Sequence, residues 1–135
     1  MTKKILTAAV LVVMMANVAA ALSLDFTIYN ESGSTFKEIM LSPSWYPDID
    51  RDRDLVRRND NGRPTTISHG HHAKITLNDL TDYRRGCKYW DLYVKCANGR
   101  EGFWRGINLG ATVAVRIDRS LTLEPFTVRD IIDMF

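Results

Sequence analysis

Short runs with an apolar residue at every second position recur from Leu24 to Ile117, and this alternation constrains the chain more than any other feature. Successive side chains of a strand point to opposite faces, so each run buries one face and wets the other. Leu24, Phe26 and Ile28 make the first run, and Glu31-Ser32-Gly33-Ser34 then turns the chain. Thr35 to Ser42 resumes with Phe36, Ile39 and Leu41, where the change of phase between 36 and 39 predicts a bulge or a late strand start. Together these two runs predict a hairpin. Ala73, Ile75 and Leu77 mark a third strand. From Cys87 to Cys96 the set Trp90, Leu92, Val94 and Cys96 marks the core face of a central strand. Ala97-Asn98-Gly99-Arg100 closes it with a tight turn, since Asn-Gly accepts positive φ. Phe103, Trp104 and Ile107 lie on the returning strand, and Val113, Val115 and Ile117 share one face of another.

Two stretches break the pattern. Asn78 to Gly86 is polar, with only Leu80 and Tyr83 to bury, and reads as a connection. At the end of the chain, Val128, Ile131, Ile132 and Phe135 recur at helical spacing, and Thr127 with Asp130 approximates a capping box. A short amphipathic helix after Pro125 is expected. With 135 residues, 45% of them hydrophobic, the expected fold is all-β: a small antiparallel β-sandwich of about six strands with a short C-terminal amphipathic helix.

The first residues have another purpose. Lys3 and Lys4 precede an apolar run from Ile5 to Val18, and Ala19-Ala20-Ala21 supplies small residues for cleavage. This is the pattern of a signal peptide over 1–21, with an uncleaved membrane anchor as the rival reading. The expected mature chain, 22–135, is a single domain, secreted or periplasmic, with no stable membrane anchor. Removing Lys3 and Lys4 from 18 Lys+Arg leaves 16 against 16 Asp+Glu. A chain so balanced has no electrostatic footprint for nucleic acid.

From Pro43 to residue 65 the composition changes to Pro, Asp, Arg and Asn. Loops of such length are commonly functional, so a partner-binding surface is expected here, on Trp45, Tyr46, Asp50, Arg51 and Arg53. Trp45 and Leu55 are its expected core anchors. Alternatively, Trp45-Tyr46 would hold a protein or carbohydrate partner, since aromatic side chains offer large contact area at low entropy cost. Asp48, Asp50, Asp52 and Asp54 superficially fit a calcium loop, but its sixth and twelfth positions hold Arg53 and Asn59 instead of Gly and Glu.

His69, His71 and His72 are the candidate metal ligands, three imidazoles within four residues. No Cys or Met stands beside them to complete a shell, and no familiar zinc spacing is present. Neither a Gly-x-Ser-x-Gly elbow nor a recognised Cys-His context occurs, and the loop carboxylates are interleaved with arginines. No enzyme activity and no cofactor are expected. Cys87 and Cys96 would ordinarily pair in an exported protein. In one extended strand, however, their Cα atoms would stand about 30 Å apart, against the roughly 4.4–6.8 Å of a disulfide. An intramolecular bridge, free buried thiols and an intermolecular bridge all remain open.

Ile28-Tyr29-Asn30, Ser32-Gly33, Phe36, Ile39, Leu41-Ser42-Pro43-Ser44, Cys87 and Trp90-Asp91-Leu92 give the chain a resemblance. From Leu24 to Leu109 it resembles a group of small secreted bacterial β-sandwich proteins. The resemblance implies fold and compartment but brings no activity. It also implies a second cysteine near Leu109-Gly110, where this chain has none. The leading expectation is therefore an exported, non-enzymatic interaction module of the cell envelope that binds or neutralises another protein. A periplasmic metal-binding protein using His69, His71 and His72 is the alternative, and a small hydrolase the third.

Overall fold

The computed structural model describes residues 25–45, 66–77 and 80–133. The expected signal peptide and the loop residues Tyr46, Asp50, Arg51, Arg53 and Leu55 lie outside them. The strands are β1 (Asp25–Asn30), β2 (Phe36–Pro43), β3 (His72–Thr76), β4 (Tyr89–Cys96), β5 (Glu101–Asn108), β6 (Thr112–Ile117) and β7 (Leu123–Thr127). Two short helices accompany them, α1 (Thr81–Arg84) and α2 (Val128–Ile132). One sheet has the order β3-β1-β6-β7 and the other β2-β4-β5. The all-β sandwich with a short C-terminal helix is thus as the alternation predicts.

The core lies between the sheets. Phe26 and Ile28 of β1 and Val115 and Ile117 of β6 meet Phe36, Ile39 and Leu41 of β2 and Trp90, Leu92 and Val94 of β4 in one buried cluster. Burying each such side chain contributes roughly 1.5–3 kcal/mol, which is why the alternating positions decide the register. The Trp90 indole donates its N–H to the Cys87 carbonyl at 2.9 Å, so the largest core side chain leaves no polar atom unpaired.

The expected hairpin of the first two strands does not form. β1 pairs antiparallel with β3 and parallel with β6, while β2 pairs with β4 in the other sheet. The cause is local. Asn30 is fully buried at the end of β1. Its amide nitrogen donates to the carbonyls of Ser34 and Ile67, both at 2.7 Å. Its carbonyl oxygen accepts from the Ser32 amide at 2.9 Å and the Ser32 hydroxyl at 2.7 Å. These bonds fold residues 30–34 into a compact corner that hands the chain from one sheet to the other. The predicted phase change is real, because the β2–β4 register shifts between Phe36 and Glu38.

Two further elements depart from expectation. Leu123–Thr127 is a strand, β7, although Pro125 argues against one. β7 is an edge, where a missing N–H can face solvent. In the stretch read as a polar connection, α1 brings Tyr83 inward, and Leu80 beside it is also buried. The capping box of α2 is present: Thr127 Oγ1 accepts from the Asp130 amide, and the Asp130 carboxylate accepts from the Thr127 amide. Of the helix's apolar residues, Ile131 is fully buried while Val128 and Ile132 are exposed.

Asn30→Asp keeps the shape but removes two donors and sets a carboxylate oxygen against two carbonyls. A loss of about 1–3 kcal/mol at neutral pH is expected from urea unfolding. Facing those carbonyls favours the protonated acid, raising the folded-state pKa of the new residue. The deficit should therefore shrink as pH falls towards the acid range.

Candidate interaction site

The outer face of the β2-β4-β5 sheet is built by the residues that the alternation leaves off the core. On β4 these are Tyr89, Asp91, Tyr93 and Lys95, opposite Trp90, Leu92, Val94 and Cys96. Asp91 is the exception to a wet outer face, since it is almost fully buried. Its Oδ1 accepts from the Ser44 hydroxyl at 2.6 Å and from the Gly106 amide at 2.9 Å. Arg105 Nε approaches Oδ2 at 3.3 Å. A carboxylate so deep is held by paired donors rather than by solvent.

This carboxylate has a structural consequence. The β4–β5 register shifts between Trp90 and Leu92, so that Arg105 and Gly106 stand opposite Asp91. Gly106 takes φ +70°, which a side chain would resist, and this turns its N–H onto Asp91. Asp91 thus fixes the bulge of β5 and, through Ser44, the end of β2.

Next to Ser44, Trp45 is 59% exposed and Tyr89 57% exposed. Both stand at the same end of the sheet, where the Ser44 amide donates to the Tyr89 carbonyl at 3.0 Å. Trp45 is therefore not the core anchor expected of it: Pro43 already ends β2, and its side chain is left in solvent. Farther along, Phe103 of β5 is 49% exposed, with the Arg105 guanidinium 5.7 Å from its ring centre.

The three histidines are placed without forming a ligand set. His69 Nδ1 accepts the Gly33 amide at 3.0 Å. His72 lies against the Tyr29 ring with centroids 5.5 Å apart. Its pKa is pushed down by burial, and further by Lys74 and His71. Among the described residues, no group of three or more His, Cys, Asp or Glu side chains is placed to hold a metal ion.

Cys87 and Cys96 are both free and buried. The Cys87 thiol points to the Tyr89 carbonyl at 3.3 Å, just before β4 begins. Burial pushes both thiols up. In the sequence Ser44 and Asp91 stand only as members of the motifs Leu41-Ser42-Pro43-Ser44 and Trp90-Asp91-Leu92, with no role attached, and Arg105 stands in neither; the signal for a role is an acidic residue in the middle of a strand, flanked by Trp90 and Leu92.

No protein-family profile matches this chain, and no curated protein matches it. Among solved structures it is similar to a chain described as the NMR structure of the protein from Eubacterium rectale. That similarity has a TM-score of 0.43 at 10% identity, and covers 76% of this chain and 85% of the other. Among the described residues, no helix is long and apolar enough to cross a membrane.

Two measurements follow from this geometry. Asp91→Ala removes an acceptor from three donors and is expected to cost about 1.5–3 kcal/mol in urea unfolding. With thiols pushed up by burial, alkylation of native Cys87 and Cys96 at pH 8 should be at least about tenfold slower than in denaturant. Equal rates would show the thiols to be accessible.

Proposed function

We propose that this chain is an exported, non-enzymatic binding module of the cell envelope that engages another protein through the Trp45–Tyr89 end of its three-stranded sheet. The observation that carries this reading is the exposure of two large aromatic residues at that end: Trp45, directly after Ser44, and Tyr89, whose carbonyl accepts the Ser44 amide. Large aromatics dominate binding energy when a partner buries them, and a rigid sheet end holds them at little entropic cost. Asp91 supports the rigidity by tying Ser44 to the β5 bulge. Export is supported by the basic, apolar and small-residue succession of residues 1–21. The balance of 16 cationic and 16 anionic residues after Lys3 and Lys4 supports a protein partner over nucleic acid.

The test is a comparison of the wild-type chain with Trp45→Ala/Tyr89→Ala as affinity baits in an extract of the native envelope. A stoichiometric protein bound by wild type and weakened at least about tenfold by the double substitution supports the reading. Unfolding midpoints and circular dichroism should coincide for the two baits. Equal binding by both would overturn the assignment of this end as the contact.

A further inference from the structure

A different part of the same sheet points to a second copy of this chain. Among the described residues the β2-β4-β5 sheet ends on β2 and β5, eight residues each, and the outer side of β2 is already engaged where Phe36 exchanges backbone bonds with Ile67. The other sheet ends on β3 and β7, five residues each, and β7 carries Pro125, which has no N–H to donate. β5 is longer and bears the half-exposed Phe103.

Its backbone is set for pairing. The Cys96 amide donates to the Arg100 carbonyl at 2.8 Å. With the β4–β5 register, antiparallel alternation from that bond directs the backbone groups of Gly102 and Trp104 towards β4. Those of Glu101, Phe103 and Arg105 consequently point outward from the edge. The side chains of these same three residues share the outer face, because Gly102 is buried on the core side and Trp104 packs against the core.

We infer that β5 pairs antiparallel with β5 of a second copy, about a two-fold axis at Phe103. In that register Phe103 faces its own counterpart, and Glu101 faces Arg105 of the other copy on both sides. Registers centred on Gly102 or Trp104 set Phe103 opposite Glu101 or Arg105 and form no Glu101–Arg105 pair, and the remaining registers oppose like charges. A centre at Glu101 opposes two carboxylates, a centre at Arg105 opposes two guanidiniums, and parallel in-register pairing does both; like charges directly opposite are unfavourable. The Asp91 contact engages Arg105 through Nε, and the Tyr93 hydroxyl donates to Glu101 Oε1 at 2.9 Å. The terminal guanidinium nitrogens and Oε2 are the atoms directed to the partner. The bulge at Arg105 and Gly106 ends the paired stretch, so the contact closes as a dimer instead of propagating.

A short strand pair buries less than the roughly 1,200 Å² of a stable interface, so the dimer forms at high concentration. This inference is independent of the proposed partner site, because Tyr89 lies four residues along β4 from Tyr93, the cross-strand neighbour of Phe103. Sedimentation of the purified protein over a concentration series tests it. Wild type should form a dimer, which Glu101→Arg and Arg105→Glu each weaken by about tenfold or more. Mixing these two variants in equal amounts should restore it as a heterodimer, since every cross-strand pair is then again opposite in charge. That recovery also shows both variants to be folded. Phe103→Cys should cross-link to itself on oxidation, because a hydrogen-bonded antiparallel pair sets Cα atoms about 5.5 Å apart, within disulfide reach. A wild-type monomer up to its solubility limit, or a dimer indifferent to both charge reversals, would overturn the proposal.

Discussion

The side-chain amide of Asn30 spends both donors and both acceptor positions inside one buried corner, and the two-sheet arrangement depends on that corner. A carboxamide offers two N–H donors and two lone pairs, so no nearby polar residue has the same set. Aspartate lacks the donors and leucine lacks everything but volume. Because the corner holds Ser32, Ser34 and Ile67 together, β1 and β2 cannot fold back on each other. They are directed into opposite layers, and the hydrophobic core forms in the gap between them.

A second buried polar group sets the other end of the sandwich. Asp91 draws Ser44, Arg105 and the Gly106 amide to one point, and in doing so bends β5 and closes β2. The two groups act alike: each satisfies donors from different segments of the chain, and each would be costly if left unpaired. What distinguishes them is their neighbourhood. Asn30 faces the inside of the molecule, whereas Asp91, on β4, ties together the segments that carry the exposed Trp45, Tyr89 and Phe103.

The strands were legible because burial on one face demands period two. β1, β2, β3, β4 and β6 lie where their alternating residues place them, β5 returns from the Asn98-Gly99 turn with Phe103, Trp104 and Ile107 on it, and the Thr127–Asp130 cap forms as spaced. β7 was not legible, since Pro125 reads as a break unless the strand is known to be an edge. Nor was the exposure of Trp45. An aromatic pair between two prolines, Pro43 and Pro47, reads equally as an anchor or a contact, and for Trp45 only the position of the last β2 residue decides between them.

Sequence alone determined that this is a chain of short strands, where most of them lie and which apolar residues of each face the core, because side-chain alternation is a local property of extended backbone. That β1, β2 and β6 are buried on both faces instead of one came only with the tertiary structure. Pairing is not local. That β1 lies beside β6 in parallel, that β2 belongs to the other layer, and that β5 is left as an edge with Glu101, Phe103 and Arg105 outward were decided by the tertiary structure. The physical reason is that each depends on long-range bonds, from Asn30 to Ile67 and from Asp91 to Ser44 and Gly106, which no window of adjacent residues contains.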